Sequence, residues 1–405
     1  MANPTERQNH MKIITQTKAF TKALAFMNKV AMPRTPKPIL TCARLVADRE
    51  RGTLTISATD LEVWCHWTIS AVQVEEGGEA VLPIAKLLTI ARQCGGDQSL
   101  ELVSAEPEQG KAQDWRCSIR GAGSEFSVLG YDPADFPGAA DFAEDGRFTV
   151  PADMLAQMIE RTLFAAAMVH SHYAMSSTLW EAKANGKRFT MTATDGHRLA
   201  QAAAYRQAGG VAVNILAPQK FMSLSLALAK RADGDLEVSV TNERIFIRQA
   251  ADGHKVHCGF WQAGDTVVLG SALCQGNFPH YKDLIPRGES IKTKLTVNRA
   301  QLACALEKVL TMTDECSRGV RLSFQDGQIT MAARTAESGE AKATCPAKVE
   351  GDRQDIGFNP QLLLEPLRAI DIDEIVLELQ APNKPAKLTA GNDYLYIVMP
   401  VDLSQ

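Results

Sequence analysis

The 405-residue chain is 45% hydrophobic and 22% charged, a globular composition with length for two to four domains. Its 43 Lys and Arg against 47 Asp and Glu leave a formal charge of −4. Overall charge therefore gives no sign of nucleic-acid binding, although charge can still be segregated by face. No apolar run approaches the roughly 18–20 residues of a membrane span. Nine scattered cysteines (42, 65, 94, 117, 258, 274, 304, 316 and 345), never spaced C-x-x-C, fit free thiols in a reducing cytoplasm better than a disulfide framework or a zinc ribbon.

The polar stretch 1–10, MANPTERQNH, reads as a disordered N-terminal extension without the apolar segment of a secretory signal. Folded sequence starts at Met11. Over 12–31 a short strand leads into an amphipathic helix with apolar residues at i, i+3 and i+4. A strand follows at 54–60, LTISATD. Pro83 then opens the apolar helix PIAKLLTIARQC, since proline suits a first helical position whose N–H would have no partner. An alternating strand at 99–103 comes next. The same landmarks return at 147–169, 189–195 (FTMTATD), Pro218 and 235–240, and again at 294–312, 329–335 (a weaker copy of the strand), Pro360 and 374–379. The strand recurs after 135 and then 140 residues, the proline-led helix after 135 and then 142. Landmarks that keep register point to a triplicated unit. Each unit runs strand–helix–strands–helix–strands, which makes the fold class α+β. Boundaries near Gly146 and Ser290 give an extension at 1–10 and domains at 11–145, 146–290 and 291–405. Three similar units serve assembly or symmetry better than catalysis.

Catalytic and cofactor chemistry finds little support. Asp195 and His197 lie near His170 and His172, but two histidines at i, i+2 fit a helix face poorly and no third ligand is suitably spaced. Asn185-Gly186-Lys187-Arg188 reads as a type I′ hairpin turn, lacking the flanking residues of a phosphate loop. Gly121-Ala122-Gly123 is no dinucleotide fingerprint, and no Gly-x-Ser-x-Gly elbow supports a serine triad. The expectation is a protein that is not an enzyme, with no metal and no cofactor.

Five motifs carry a resemblance: TATDGHRLA at 192–200, Asn277-Phe278-Pro279 with Tyr281 and Ile285-Pro286, RGVRL at 318–322, Gly357-Phe358-Asn359, and YIVMP at 396–400. In this order they closely resemble the bacterial DNA polymerase III β subunits, the DNA sliding clamps, from about Met11 to Leu403. The resemblance implies three clamp-type domains per chain and two chains closing head to tail into a ring, helices lining the hole and antiparallel sheets outside. It implies a cytoplasmic, non-catalytic processivity factor that encircles duplex DNA without reading its sequence. Its expected partners are a second copy, the polymerase III catalytic subunit, the clamp loader and other proteins with clamp-binding motifs, with no membrane involved.

A sliding ring needs a basic lining that meets phosphates rather than bases. The six helix windows (13–31, 83–94, 152–169, 218–231, 298–312 and 359–370) hold 12 Lys or Arg against four Asp or Glu, in a chain whose total is −4. Glu favours helices as much as Lys and Arg do, so its scarcity there points to segregation. The DNA-contact candidates in these windows are Lys18, Lys22, Lys86, Arg92, Lys220, Lys230, Arg231 and Arg299. By resemblance, Arg34 occupies a DNA-contacting loop and Tyr173 a second one, where Ala174 replaces an expected aromatic.

The resemblance also places ring closure on Phe126 and Val128 of the first domain and Thr311 and Met312 of the third. Phe126 can equally belong to an ordinary half-buried strand. A partner-peptide pocket is expected from Met175, Thr194, Gly196, His197, Arg198, Leu199, Pro279, Leu284, Asn359, Ile397, Val398, Met399, Pro400 and Val401. Methionines at 175 and 399 suit a groove that adapts to several peptides, although Ile397–Val401 also reads as a plain buried final strand. Asp283 and Asp402 stand at positions expected to be basic, Ser317 and Leu362 at positions expected to be larger or aromatic, and Ser404 and Gln405 extend the tail. These departures fit a specialised paralogue, and the alternative reading is a clamp-derived partner-binding or resistance protein with weak ring closure. More distant is a hydrolase using the Asp195–His197 turn.

Overall fold

The structure is a computed structural model and describes residues 10–95, 98–105, 115–167, 174–205, 211–232, 234–250, 264–313, 319–325, 327–335 and 339–402. In the first repeat β1 (Met11–Gln16) leads into α1 (Thr17–Val30). Strands β2 (Cys42–Asp48), β3 (Thr53–Thr59), β4 (Val63–Ile69), β5 (Val72–Glu76) and β6 (Gly78–Pro83) precede α2 (Ile84–Gln93). The unit closes with β7 (Ser99–Ala105), β8 (Arg116–Gly121) and β9 (Ser124–Leu129).

The second repeat opens with β10 (Phe148–Pro151) and α3 (Ala152–Glu160). Then come β11 (Ser177–Ala182), β12 (Arg188–Thr194), β13 (Arg198–Tyr205), β14 (Val213–Pro218) and α4 (Gln219–Ala229). It ends with β15 (Asp235–Val240), β16 (Arg244–Ala250) and β17 (Thr266–Ala272). The third runs through β18 (Thr293–Asn298), α5 (Arg299–Leu310), β19 (Val320–Gln325), β20 (Gln328–Thr335), β21 (Gly339–Gly351) and β22 (Asp355–Phe358). It finishes with α6 (Pro360–Ala369), β23 (Glu374–Leu379), β24 (Ala386–Ala390) and β25 (Tyr394–Val398).

Local pattern explains these elements. In β1, Met11, Ile13 and Thr15 are buried while their neighbours are less so, the period of two that a half-buried strand imposes. In α1 the buried residues include Phe20, Ala23, Leu24, Met27 and Val30, which recur at helical spacing.

Two expectations need correction. Pro83 and Pro218 end strands rather than begin helices. The fixed φ of proline suits an extended residue as well, and Pro83 has φ −61 and ψ 118. Only Pro360 lies inside its helix, after Asn359, whose side chain accepts a hydrogen bond from the Gln361 N–H at 3.0 Å. The third helix also stops at Glu160, short of 169. There the Thr162 hydroxyl bonds back to the Met158 carbonyl at 2.8 Å, offering the backbone an exit from the helix. Arg161, just beyond the helix, is 7% exposed.

Strand pairing builds three sheets: β5-β1-β7-β8-β9, β10-β15-β16-β17-β4-β3-β2-β6, and a twelve-stranded sheet from β14 to β22. By compactness the chain forms two bodies. One contains residues up to Leu155 together with Ser223–Leu273, the other Ala156–Met222 together with everything from Cys274 onward. The middle repeat is thus divided, because ladders cross the repeat junctions. In the first body β17 pairs antiparallel with β4, Ser271 opposite Val63. In the second, β25 pairs with β13, Val398 opposite Arg198. Val63 and Arg198 are each the third residue after the aspartate that ends the recurrent strand, so the two junctions share one register.

The repeat persists to the level of single hydrogen bonds. Asp60 Oδ1 accepts from the Glu62 and Val63 N–H groups at 3.0 and 2.7 Å. Asp195 Oδ1 accepts from His197 and Arg198 at 2.9 and 3.0 Å. Both turns need a left-handed residue next, Gly196 at φ +89 but Leu61 at φ +83. A leucine there is strained, and its side chain is 52% exposed. Leu61→Gly is expected to raise stability by about 1 kcal/mol despite the added freedom of the unfolded chain, read as a higher urea midpoint.

Candidate functional site

The second body carries an apolar floor on one face of the β14-β11-β12-β13-β25 portion of its sheet. Leu179, Leu199, Leu216, Ile397 and Tyr281 form a buried cluster, with Ala174, Cys274, Phe278, Ile285 and Leu395 packed against it. Alternation along the strands selects these residues: Leu199 stands opposite Ile397 and Leu179 opposite Leu216. Leu284 and Met399 remain 58% and 39% exposed. Of the other expected pocket residues, Pro279, Gly196 and His197 are exposed, Met175, Pro400 and Val401 are half-buried, and Thr194 is buried.

Three expected pocket residues have other placements. Val398 is fully buried and follows Ile397 along the strand, so its side chain lies on the opposite face. Arg198 is likewise turned away. Its Nε donates to Asp195 Oδ2 at 2.9 Å, its Nη2 to the Phe164 carbonyl at 2.7 Å, and its Nη1 pairs with Glu365 of α6. Its guanidinium also lies 5.5 Å from the Phe164 ring centroid. The side chain is 11% exposed, so it braces the Asp195 turn from behind. Asn359 caps α6. The turn is joined to the end of the chain by the Met399 N–H donating to the His197 carbonyl at 2.9 Å.

Tyr281 marks where this face changes character. Its ring belongs to the apolar cluster, while its hydroxyl donates to Glu181 Oε2 and accepts from Gln201 Nε2, both at 2.9 Å. Burial pushes its phenol up from the ordinary value, so it stays neutral and can donate.

The DNA-contact candidates divide by exposure. Lys18 on α1, Lys86 and Arg92 on α2, Lys230 after α4 and Arg34 in the loop after α1 are exposed. Lys22 and Lys220 are half-buried. Arg231 donates to the Ala227 carbonyl at 2.6 Å and Arg299 to the Leu367 carbonyl at 2.9 Å. Both therefore also satisfy carbonyls near a helix end. Tyr173 lies outside the described residues, as do Ser317, Ser404 and Gln405. Phe126 is half-buried and Val128 is 8% exposed on β9, the edge strand of its sheet. Thr311 is exposed and Met312 half-buried at the C-terminal end of α5. Among the described residues no group of three or more His, Cys, Asp or Glu could hold a metal ion, and no helix is long and apolar enough to cross a membrane.

Three α+β units, with sheets continued across the junctions between them, make the architecture of a clamp. The N-terminal, central and C-terminal domains of the DNA polymerase III beta subunit match residues 11–141, 149–280 and 282–402. The chain belongs to that family; it is a DNA sliding clamp, a non-catalytic processivity factor of DNA replication. The beta sliding clamp of Escherichia coli (strain K12) is 26% identical over 396 residues, spanning 97% of this chain and 100% of that one. A crystal structure of the Pseudomonas aeruginosa DNA polymerase III subunit beta has a TM-score of 0.84 at 26% identity, covering 97% of this chain and 100% of that one. The Bartonella birtlesii sliding clamp bound to griselimycin has a TM-score of 0.85 at 26% identity, covering 98% and 100%.

Proposed function

We propose that two copies of this chain close head to tail around duplex DNA in the cytoplasm and tether the replicative polymerase, its loader and other partners through the apolar groove. The three domains would run over 11–145, 146–290 and 291–405. The observation that carries this reading is what the two internal junctions leave over. Each joins the last strand of one repeat to the hairpin strand after the recurrent strand of the repeat before it: β17 to β4, and β25 to β13. Among the described residues β9, the last strand of the first repeat, pairs with β8 alone. The corresponding hairpin strand of the third repeat is residues 339–346 of β21, paired there with β20. One strand edge in the first repeat and one in the third are therefore left to suit each other, as a heterologous interface that closes requires.

Carrying the shared register over sets Phe126 opposite the partner's Ala341 and Val128 opposite the partner's Gly339. Thr311 and Met312, at the end of the helix that packs on β21, would flank this junction. Lys18 and Lys22 of α1 and Lys86 and Arg92 of α2, with Arg34, Lys220, Lys230, Arg231, Arg299 and Tyr173, would meet DNA phosphates without base readout. The groove takes a short peptide by its Leu or Phe side chains, with His197, Pro279, Leu284 and Met399 at its rim.

Light scattering across a dilution series, followed by retention on circular and linear DNA, tests the reading. The expected mass is twice the 44.0 kDa chain, with salt-resistant retention on the circle and loss from linear ends. A monomer throughout would leave the partner-binding paralogue as the better account.

A further inference from the structure

Beyond Tyr281 the face that carries the groove opens into a cavity of about 590 Å³. Its walls include Lys183, Lys187, Arg188 and Lys282, with Glu181 the one acidic side chain among them. Glu181 is already engaged: Oε1 pairs with the Lys282 ammonium at 3.0 Å, and Oε2 accepts from the Tyr281 hydroxyl at 2.9 Å. Lys187 and Arg188 are exposed, and neither forms an ion pair with a described acid. Thr190 and Gln201 add hydroxyl and amide groups to the lining.

The cavity and the groove share strands and a face. Leu199 and Gln201 are two residues apart on β13, and on β12 Thr192 stands opposite both Gln201 and Leu179. One pairing step further, Glu181 stands opposite Thr190 and Asn214. With a side-chain period of two, this face passes from Leu179 and Leu216 to Glu181, Thr190 and Asn214 within about two residues' rise. The Tyr281 ring lies at the transition.

We propose that this cavity is an extension of the partner groove that takes acidic side chains flanking the apolar anchors of a bound peptide. The inference rests on the groove reading above and deepens it. A peptide whose Leu or Phe sits beside Leu199 and Tyr281 has neighbouring residues within reach of Lys187 and Arg188, which line the cavity and are exposed. Carboxylates there gain charge-assisted hydrogen bonds. The Lys183–Arg188 hairpin becomes a specificity element, ranking partners that share the same apolar anchor by the charge next to it.

The test is fluorescence anisotropy on the full chain with three labelled peptides. One is an apolar-anchor pentapeptide; the other two carry the same anchor extended by Asp-Glu-Asp at either end. At low salt one extension is expected to tighten binding about tenfold, with the gain shrinking as salt rises. The Lys187→Ser/Arg188→Ser double variant should lose that gain yet bind the unextended peptide as before. Equal affinity for all three peptides, or a gain that survives in the variant, would overturn the proposal and leave the groove reading standing. Failure of the unextended peptide to bind would overturn both. A variant that loses affinity for duplex DNA and not for the acidic peptide would assign these cations to DNA instead, and would also overturn it.

Discussion

Arg198→Ala is expected to destabilise the second body by about 3 kcal/mol, the usual cost of removing one partner from a largely buried charge pair. Arg198 serves Asp195, the Phe164 carbonyl and Glu365 at once, with side-chain exposures of 11% for the arginine, 20% for Asp195 and 29% for Glu365. Alanine would leave Asp195 Oδ2, the Glu365 carboxylate and the Phe164 carbonyl without this donor, while Asp195 Oδ1 keeps its two backbone N–H groups. Arg198→Lys should recover little, because one ammonium cannot reproduce a planar fork aimed at three acceptors. Glu365→Gln should cost less, since it leaves the arginine its other two acceptors. Urea unfolding would measure all three. The peptide groove should weaken along with stability in Arg198→Ala, since the Asp195 turn and the Met399–His197 hydrogen bond stand on this brace. An Arg198→Ala protein as stable as the parent would show that water satisfies these groups.

A charge on the free edge of β9 should open the proposed ring. Phe126→Glu places a carboxylate in what would be the middle of the new strand pair, and the mass in solution should fall from twice the chain to 44.0 kDa. Each junction is expected to weaken by about 2 kcal/mol or more, as for a central aromatic of an interface. Ala341→Glu should act in the same way from the other side. A head-to-tail ring makes a sharper prediction for the two variants mixed. One junction then combines the two intact edges and the other combines both altered ones. The mixture should therefore show the doubled mass but no retention on circular DNA. A doubled mass for either variant alone would move the interface off these edges, while an unchanged urea midpoint would show that folding is not the cause.

The local signals were legible and the long-range ones were not. The recurrent Thr-Asp strand, the amphipathic first helices and the alternating strands follow from spacing within about ten residues. The end of α3 at Glu160 depends on how Thr162 spends its hydroxyl, which helical periodicity does not register. At the groove, the sequence motif brought Ile397 and Val398 together, yet adjacent strand residues face opposite ways. That rule alone would have removed Val398 and Arg198 from the groove floor. The basic cavity escaped notice for a different reason. Its hairpin was legible as an Asn-Gly turn, but the wall that makes it a cavity comes from Tyr281 and Lys282, about a hundred residues later. The edges left on β9 and β21 became meaningful only once the other strands of their kind were seen to be paired.

The division of the middle repeat between two bodies bears on how the chain comes apart. Cooperative units in a protein follow contiguous packing and hydrogen bonding rather than ancestry. Amide hydrogens of β15 and β16 should therefore exchange in concert with those of β3 and β4, and those of β11 and β12 with β24 and β25, although β11 and β15 descend from one repeat. The sequence repeats in thirds, and its opening events should follow the two bodies.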